Sequence, residues 1–291
     1  MKRHRPSAAE VLARAHAGGY AIGAFNVSSF SVLKAIVQAA TRLRSPVIIE
    51  TSSGETEFMG ADVQAAMLEI MERHAGVPIL GNLDHAKTYA SVKTAMDAGY
   101  EMLHFDGSEL PLSQNLRILK RIVKEAHHKR LLVEGERDHI TGSSEWHKSI
   151  RMEAEQKKGR FTDPDEAAVF VQESGIDIFA SFIGNVHGVF ANEERLDFRL
   201  LAELRRRLSC SLSLHGGSGI RASHVRRAIA LGITKVNVNT ELRMAYVTAL
   251  RRVLAKSRNE IAPYRFMEPV IAAVQKVVEA KIRLFGSAGK A

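Results

Sequence analysis

Short apolar or β-branched runs alternate along the chain with longer segments whose apolar residues recur every three or four positions. The runs are AIGAFNV (21–27), PVIIET (46–51), PILGNLD (78–84), MLHFDG (102–107), LLVEGE (131–136), IDIFASFI (176–183), SLSLHG (211–216) and KVNVNT (235–240). Their length and bounding turn residues predict eight strands. Between them FSVLKAIVQAATRL, ADVQAAMLEIMERHAG, LSQNLRILKRIVKEAH, DPDEAAVFVQESG, DFRLLAELRRRL and ELRMAYVTALRRVLA carry helical spacing, several closing on glycine or basic residues. Strand and helix in regular alternation predict an α/β fold, a (β/α)8 TIM barrel with extra terminal helices; an open doubly wound sheet is the alternative. The one long interruption, 138–161, is polar and charged and reads as a mobile active-site loop or a disordered insertion. With no internal repeat, linker tract or composition shift, residues 1–291 are expected to form a single domain.

Composition narrows the function classes. The 291 residues are 45% hydrophobic and 25% charged, enough for a proper core. A single cysteine, Cys210, excludes an intramolecular disulfide and a Cys-based zinc site, which points to a reducing compartment and leaves any metal to histidines and carboxylates. No stretch approaches the roughly 20 apolar residues of a membrane span, and the first residues lack the apolar core of a signal peptide, so a cytoplasmic location without membrane association is expected. The net charge of +9 favours polyanionic ligands, among them nucleic acids, acidic lipids and phosphorylated metabolites. The densest basic runs, 120–130 and 205–207, lie on helical segments with no interleaved aromatic residues, which reads as solvated helix face and no nucleic-acid partner.

A barrel of this class builds its site from the C-terminal ends of its strands. Those ends carry Asn26, Ser52, Asp84 with His85, Asp106, Glu134 with Glu136, His187, His215, and then Asn237, Asn239 and Thr240. Three imidazoles converging from separate strands suit Zn²⁺ or a similar ion that keeps a position open for substrate. Gly188 after His187, and Gly216, Gly217 and Gly219 after His215, allow close backbone approach. His104 lacks such a context and reads as structural; His127, His128, His147 and His224 read as surface residues. HGGSGI before the helix SHVRRAIALG, and NVNTE opening another, present backbone N–H groups where a phosphate would bind.

The stretches LDHAKTYASVKTAMDAGYEMLHFDGSELPLSQNL, FTDPDEAAVFVQESGID, IGNVHG, LHGGSGI, GITKVNVNTELR and KIRLFGSAGKA resemble, in order and spacing and almost from end to end, the class II metal-dependent ketose-bisphosphate aldolases. The resemblance implies reversible cleavage of a ketose 1,6-bisphosphate, fructose or tagatose, into dihydroxyacetone phosphate and glyceraldehyde 3-phosphate. It implies His85, His187 and His215 as zinc ligands, Asp84 as the group that handles the C4 hydroxyl proton, and Asp106 and Glu136 as carboxylates for a second divalent metal. It further implies Gly188, Gly216, Gly217, Ser218, Asn237, Asn239 and Thr240 at the dihydroxyacetone phosphate end, with Asn237 also counted as catalytic. Ser52 matches a serine near that phosphate. A monovalent cation, Na⁺ or K⁺, beside the phosphate and a homodimer or homotetramer complete the expectation.

The departures from the family pattern are local. Ala86 stands where the family has glycine after the first ligand, and Asn185 precedes Val186 and His187 in a segment that commonly reads IGTxHG. Glu145, in TGSSE, is the best match to the mobile-loop acid that moves the proton at the enediolate carbon. APYR replaces DPR, so Tyr264 occupies the place of the distal-phosphate arginine and Arg265 is shifted by one; a phosphorylated ketose without the second phosphate stays open as substrate. Lys235 offers a Schiff-base alternative, but it lies five residues before the predicted end of its strand. A non-catalytic sugar-phosphate-binding barrel is the alternative from another class.

Overall fold

The structure, a computed structural model, describes residues 5–192, 196–257 and 259–291. Its strands, in chain order, are β1 (Ile22–Asn26), β2 (Val47–Ser52), β3 (Ile79–Ala86), β4 (Met102–Asp106), β5 (Leu132–Glu136), β6 (Gly142–His147), β7 (Ile178–Ala180), β8 (His187–Phe190), β9 (Ser211–Leu214) and β10 (Ile233–Val238). Eight of them close a parallel barrel in the order β1, β2, β3, β4, β5, β7, β9, β10, with β10 paired back onto β1. That is the (β/α)8 barrel the alternation predicts, and the closed sheet excludes the doubly wound alternative.

The differences lie in one region. The predicted strand 176–183 contributes only β7 to the barrel, and the polar interruption 138–161 contains β6 and a short helix, Met152–Gln156. Strand β6 pairs in parallel with β8 as a separate two-stranded ribbon. His187 therefore sits on this ribbon above the barrel and not at the end of a barrel strand. Neither strand alternates strongly between apolar and polar residues, which is why the sequence pattern passes over them.

Local sequence explains the helix boundaries. Ser7 and Glu10 form a reciprocal capping box at the start of the helix Ala8–Gly18; Ser29, Thr88 and Asp163 cap three others with their side chains, the last followed by Pro164. The helix Ala8–Gly18 closes the barrel bottom, where Val11, Leu12 and Ala15 join Ile22, Ala24, Ile48, Leu80, Met102 and Ile178 in one apolar cluster. Outward-facing residues such as Phe25, Ile49, Leu103, Val133 and Val236 pack against the surrounding helices in the main core. Each such fully buried side chain stabilises the fold by roughly 1.5–3 kcal/mol. The helix Glu268–Phe285 packs against Phe30–Leu43 and Thr240–Lys256. No helix among the described residues is long and apolar enough to cross a membrane.

Candidate active site

Alternation along the strands turns every second side chain toward the barrel axis, and its chemistry changes from bottom to top. On β2 the series is Ile48, Glu50, Ser52; on β3 it is Leu80, Asn82, Asp84; on β4, Met102, His104, Asp106; on β5, Leu132, Glu134, Glu136. Parallel register sets Glu50 beside Asn82, His104 beside Glu134, and Asp106 beside Glu136. An apolar floor thus carries a buried ionisable layer, and the candidate site lies on top of it.

Three imidazoles and Asp84 meet at that level. His85 Nε2 lies 3.0 Å from His215 Nδ1, and the His187 ring centroid lies 4.9 Å from that of His85 and 5.8 Å from that of His215. His85 has φ of 49°, a left-handed conformation that a non-glycine residue adopts only where its surroundings hold it. Asp84 accepts hydrogen bonds from Asn26 Nδ2 at 3.1 Å and from Asn237 Nδ2 at 3.3 Å, one on each oxygen. Burial alone would raise its pKa, but His85, His104, His215 and Lys235 hold it well below the ordinary carboxylate range, so it stands ionised. Burial keeps His187 and His215 below the ordinary imidazole range, with the neighbouring rings adding to the effect, and neutral rings offer lone pairs to a metal.

Two groups of side chains could hold a cation. Donor atoms of Asp84, His85, His104 and His215 cluster within 4.8 Å, as do those of His85, Asp106 and Glu136. His187 stands outside the tighter group and His104 inside it, although the sequence reading set His104 aside. His104 Nδ1 accepts the His85 backbone N–H at 3.2 Å and its Nε2 faces Glu136 Oε2 at 3.5 Å, which is a supporting position beneath His85. With Nδ1 accepting, His104 carries its hydrogen on Nε2 and supports the cluster from below without a free lone pair for a metal. Oε2 of Glu136 is buried without a hydrogen bond, and such an oxygen beside the His85 imidazole and Asp106 suits a bound dication. Lys87 Nζ, 2.7 Å from Asp106 Oδ2, already places a cation at the edge of the second group.

Beside the imidazoles lies a glycine-walled pocket lined by Asn26, Asp84, His85, Ser144, His187, Gly188, Gly216, Ser218, Asn237, Asn239 and Thr240. A Cβ at Gly216, whose φ is 69°, would stand 2.1 Å from Val186 O, and one at Gly217 would stand 2.6 Å from Asn237 O, so only glycine lets these backbones meet. Thr240 opens a 17-residue helix whose N-cap, Asn239, makes no side-chain cap hydrogen bond; its N-terminus faces the pocket and favours an anion. Lys281 supports this wall from the C-terminal helix, with Nζ 2.8 Å from Glu241 Oε1, which in turn accepts the Gly219 N–H at 2.7 Å. The sequence motif KIRLFGSAGKA thereby acquires a contact with the site.

Seven of the expected residues are not part of the pocket lining: Gly217 follows the lining Gly216, His215, Asp106 and Glu136 lie against the His85 ring at 3.0, 3.2 and 3.5 Å, and Ser52, Glu145 and Arg265 stand elsewhere. Ser52 is the N-cap of the helix Ser53–Met59, its hydroxyl in a capping box with Glu55. Glu145 is exposed on β6, where its neighbour Ser144 takes the pocket side. Arg265 is exposed on the short helix Pro263–Phe266 and pairs with Glu260 at 3.5 Å. Conversely, Asn26 and Ser144 line the pocket; the position of Asn26 at a strand end signalled it, whereas nothing in the local pattern distinguished Ser144 from Ser143.

Comparison with known proteins agrees with this geometry. The family model described as fructose-bisphosphate aldolase class-II matches residues 6–290. The chain is 34% identical over 287 residues to a fructose-bisphosphate aldolase of Geobacillus stearothermophilus, covering 97% of each chain. It is 32% identical over 305 residues to that of Helicobacter pylori, covering 97% of this chain and 98% of the relative. Among solved structures, the YdjI aldolase of Escherichia coli K12 superposes with a TM-score of 0.83 at 32% identity, over 96% of this chain and 97% of that one. A barrel whose upper rim combines clustered imidazoles, a clamped aspartate and a glycine-walled anion pocket, and whose sequence follows one family profile from residue 6 to residue 290, is an aldehyde-lyase of the class-II fructose-bisphosphate aldolase family.

Proposed function

We propose that the protein cleaves fructose 1,6-bisphosphate reversibly to dihydroxyacetone phosphate and glyceraldehyde 3-phosphate, as a step of glycolysis and gluconeogenesis, with Zn²⁺ held by His85, His187 and His215. The observation that carries this reading is the meeting, in one pocket, of Asp84 ionised between Asn26 and Asn237 with the imidazoles on one side and the Gly216–Ser218 wall on the other. The C1 phosphate lies against the backbone of Gly188, Gly216 and Gly217, with Ser218, Asn239 and Thr240 around it, at the N-terminus of the helix that Thr240 begins. Asp84 then faces the C4 hydroxyl and takes its proton. The electrons of the O–H bond become the C4 carbonyl, the C3–C4 bond breaks, and its electron pair moves onto the C2 ketone. A divalent ion held by His85, His187 and His215 would supply Lewis-acid stabilisation of the negative oxygen that results. Asn237, within hydrogen-bond reach of Asp84 and His215, holds the base at a fixed angle to the reacting carbons. Glu145 delivers the proton to C3 after the segment 138–161 swings inward, and the reverse movement opens the site for release of the product.

Asp106 and Glu136, on the side of the His85 ring away from His215, would serve a second or alternative position for a divalent ion, and a Na⁺ or K⁺ ion beside the C1 phosphate would offset its charge. A homodimer or homotetramer in the cytoplasm completes the reading. The deciding experiment measures cleavage of fructose 1,6-bisphosphate, tagatose 1,6-bisphosphate and fructose 1-phosphate by chelated and zinc-restored protein. Zinc-dependent turnover highest on the first supports the reading; turnover that survives chelation, or is confined to another substrate, refutes it.

A further inference from the structure

Directly beneath the imidazoles, the barrel encloses a lysine between two glutamates. Lys235 Nζ lies 2.5 Å from Glu134 Oε2 and 2.8 Å from Glu50 Oε1, and all three side chains are fully buried. This excludes Lys235 as a Schiff-base nucleophile, since its amine is enclosed and held protonated, its pKa raised by the two carboxylates against the effect of burial. The glutamate carries the contact upward. Glu134 Oε1 accepts the Ser213 hydroxyl at 2.5 Å and lies 2.8 Å from His215 Nε2. A carboxylate only accepts, so His215 bears its hydrogen on Nε2 and keeps the lone pair of Nδ1 for the site, where Nδ1 stands 3.0 Å from His85 Nε2.

We infer that Lys235 is a positioning residue for the metal: it fixes, together with Ser213, the plane of the Glu134 carboxylate, and through that carboxylate the tautomer and direction of His215. The inference rests on the reading of His215 as a ligand. The fold alone gives no reason to bury this charged trio, because apolar side chains of similar volume in place of the lysine and both glutamates would fill the same space without desolvating any charge. A lysine whose amine ends on the carboxylate that holds a candidate ligand has a reason to be there: partners of ligating histidines typically control 10–100-fold in metal affinity.

The test uses full-length protein, with Zn²⁺ affinity read by competition against a chromophoric chelator, the visible spectrum of the Co²⁺-loaded form, and the thermal midpoint of the metal-free form. Lys235→Met removes the amine, and Lys235→Met/Glu50→Gln removes one charge of each sign so that the interior stays balanced. In the double variant, folded by its circular dichroism, Zn²⁺ binding about 10–100-fold weaker and a shifted Co²⁺ spectrum are expected. Wild-type affinity and spectrum in a folded double variant overturn the inference. If that variant does not fold, Ser213→Ala, which removes only the hydroxyl anchor of Glu134, decides in its place: several-fold weaker Zn²⁺ supports the inference and unchanged affinity refutes it. Should wild-type protein bind neither ion, or His215→Ala bind both as tightly, the assignment of the metal site fails, a result distinct from failure of the positioning role.

Discussion

Asn26 donates to Asp84 across the barrel mouth at 3.1 Å, and the same amide nitrogen reaches Glu55 Oε2 at 3.1 Å. Asp84 is thus oriented by a side chain from a strand two positions away. Turnover should fall roughly 10²–10⁴-fold in Asp84→Ala, the range for loss of a general base, with Zn²⁺ affinity nearly kept. Asn26→Ala should lose less, roughly tenfold to a hundredfold, as expected for one hydrogen bond to a charged group. Steady-state kinetics on metal-replete protein check both, and an Asp84→Ala enzyme with wild-type kcat removes the base assignment.

The glycine wall makes a separate claim about phosphate. In Gly216→Ala the new methyl group meets the Val186 carbonyl at a left-handed φ, so the backbone must shift. A stability loss of about 1–3 kcal/mol in chemical denaturation is expected, together with a raised KM and weaker competition by inorganic phosphate. Alanine at Gly76, where φ is 66° but nothing lies within 4 Å of the added atom, should cost stability and leave KM alone.

How far the sequence reading reached follows from the physics of each residue. The barrel was legible because parallel strands and their crossover helices carry different apolar periods, and His85, His215, Asp84 and Asn237 because polar residues at the ends of apolar runs stand out. Strand β8 and its His187 were harder, since HGVF pairs only with a ribbon from the polar excursion and carries no barrel pattern. His104 was passed over because a histidine inside an apolar strand usually serves structure. Its part in the cluster depends on its lying beside Glu134 in register, and register cannot be read from one strand. Lys235 failed to signal its role for the same reason: its partners Glu50 and Glu134 are 185 and 101 residues away in the chain.

Metal removal should change stability as well as activity. A ligand that binds only the folded state stabilises it by about 4 kcal/mol at a thousandfold excess over its Kd, so chelation should lower the thermal midpoint by several degrees and abolish turnover together, and Zn²⁺ should restore both. His85→Ala, which takes a member from both candidate cation groups, should lose the stabilising response to Zn²⁺. A full response in that variant would place the ion elsewhere.

Cys210 gives a prediction independent of the site. Burial pushes its thiol up to about 11, and the thiolate is the reactive form. At pH 8 the thiol of native protein should therefore react with a disulfide reagent roughly two orders of magnitude more slowly than a free thiol of pKa about 8.5. Because the folded value is raised, the rate should climb as pH rises toward 11 and should match that of a free thiol in denaturant. Rapid stoichiometric labelling of native protein at pH 8 contradicts this.

The distal end of the substrate is the remaining point of specificity, and Arg265, which the family pattern suggests for it, does not line the pocket. Arg265 is exposed and pairs with Glu260; an exposed pair of this kind contributes little. Arg243, on the helix that Thr240 begins, stands at the rim, with Nη2 2.8 Å from Glu55 Oε1 and Nη1 3.4 Å from the carbonyl of Ser144, which lines the pocket. A guanidinium has five donors in a planar fork, and those not used in these contacts can meet a phosphate oxygen. Arg243→Ala should therefore lower kcat/KM for fructose 1,6-bisphosphate roughly tenfold to a hundredfold, leave cleavage of fructose 1-phosphate within a few-fold, and be partly rescued by lysine. Arg265→Ala should do neither. If Arg243→Ala reduces both substrates equally, its role is to hold Glu55 and the 142–147 strand in place, and the second phosphate is met by another group.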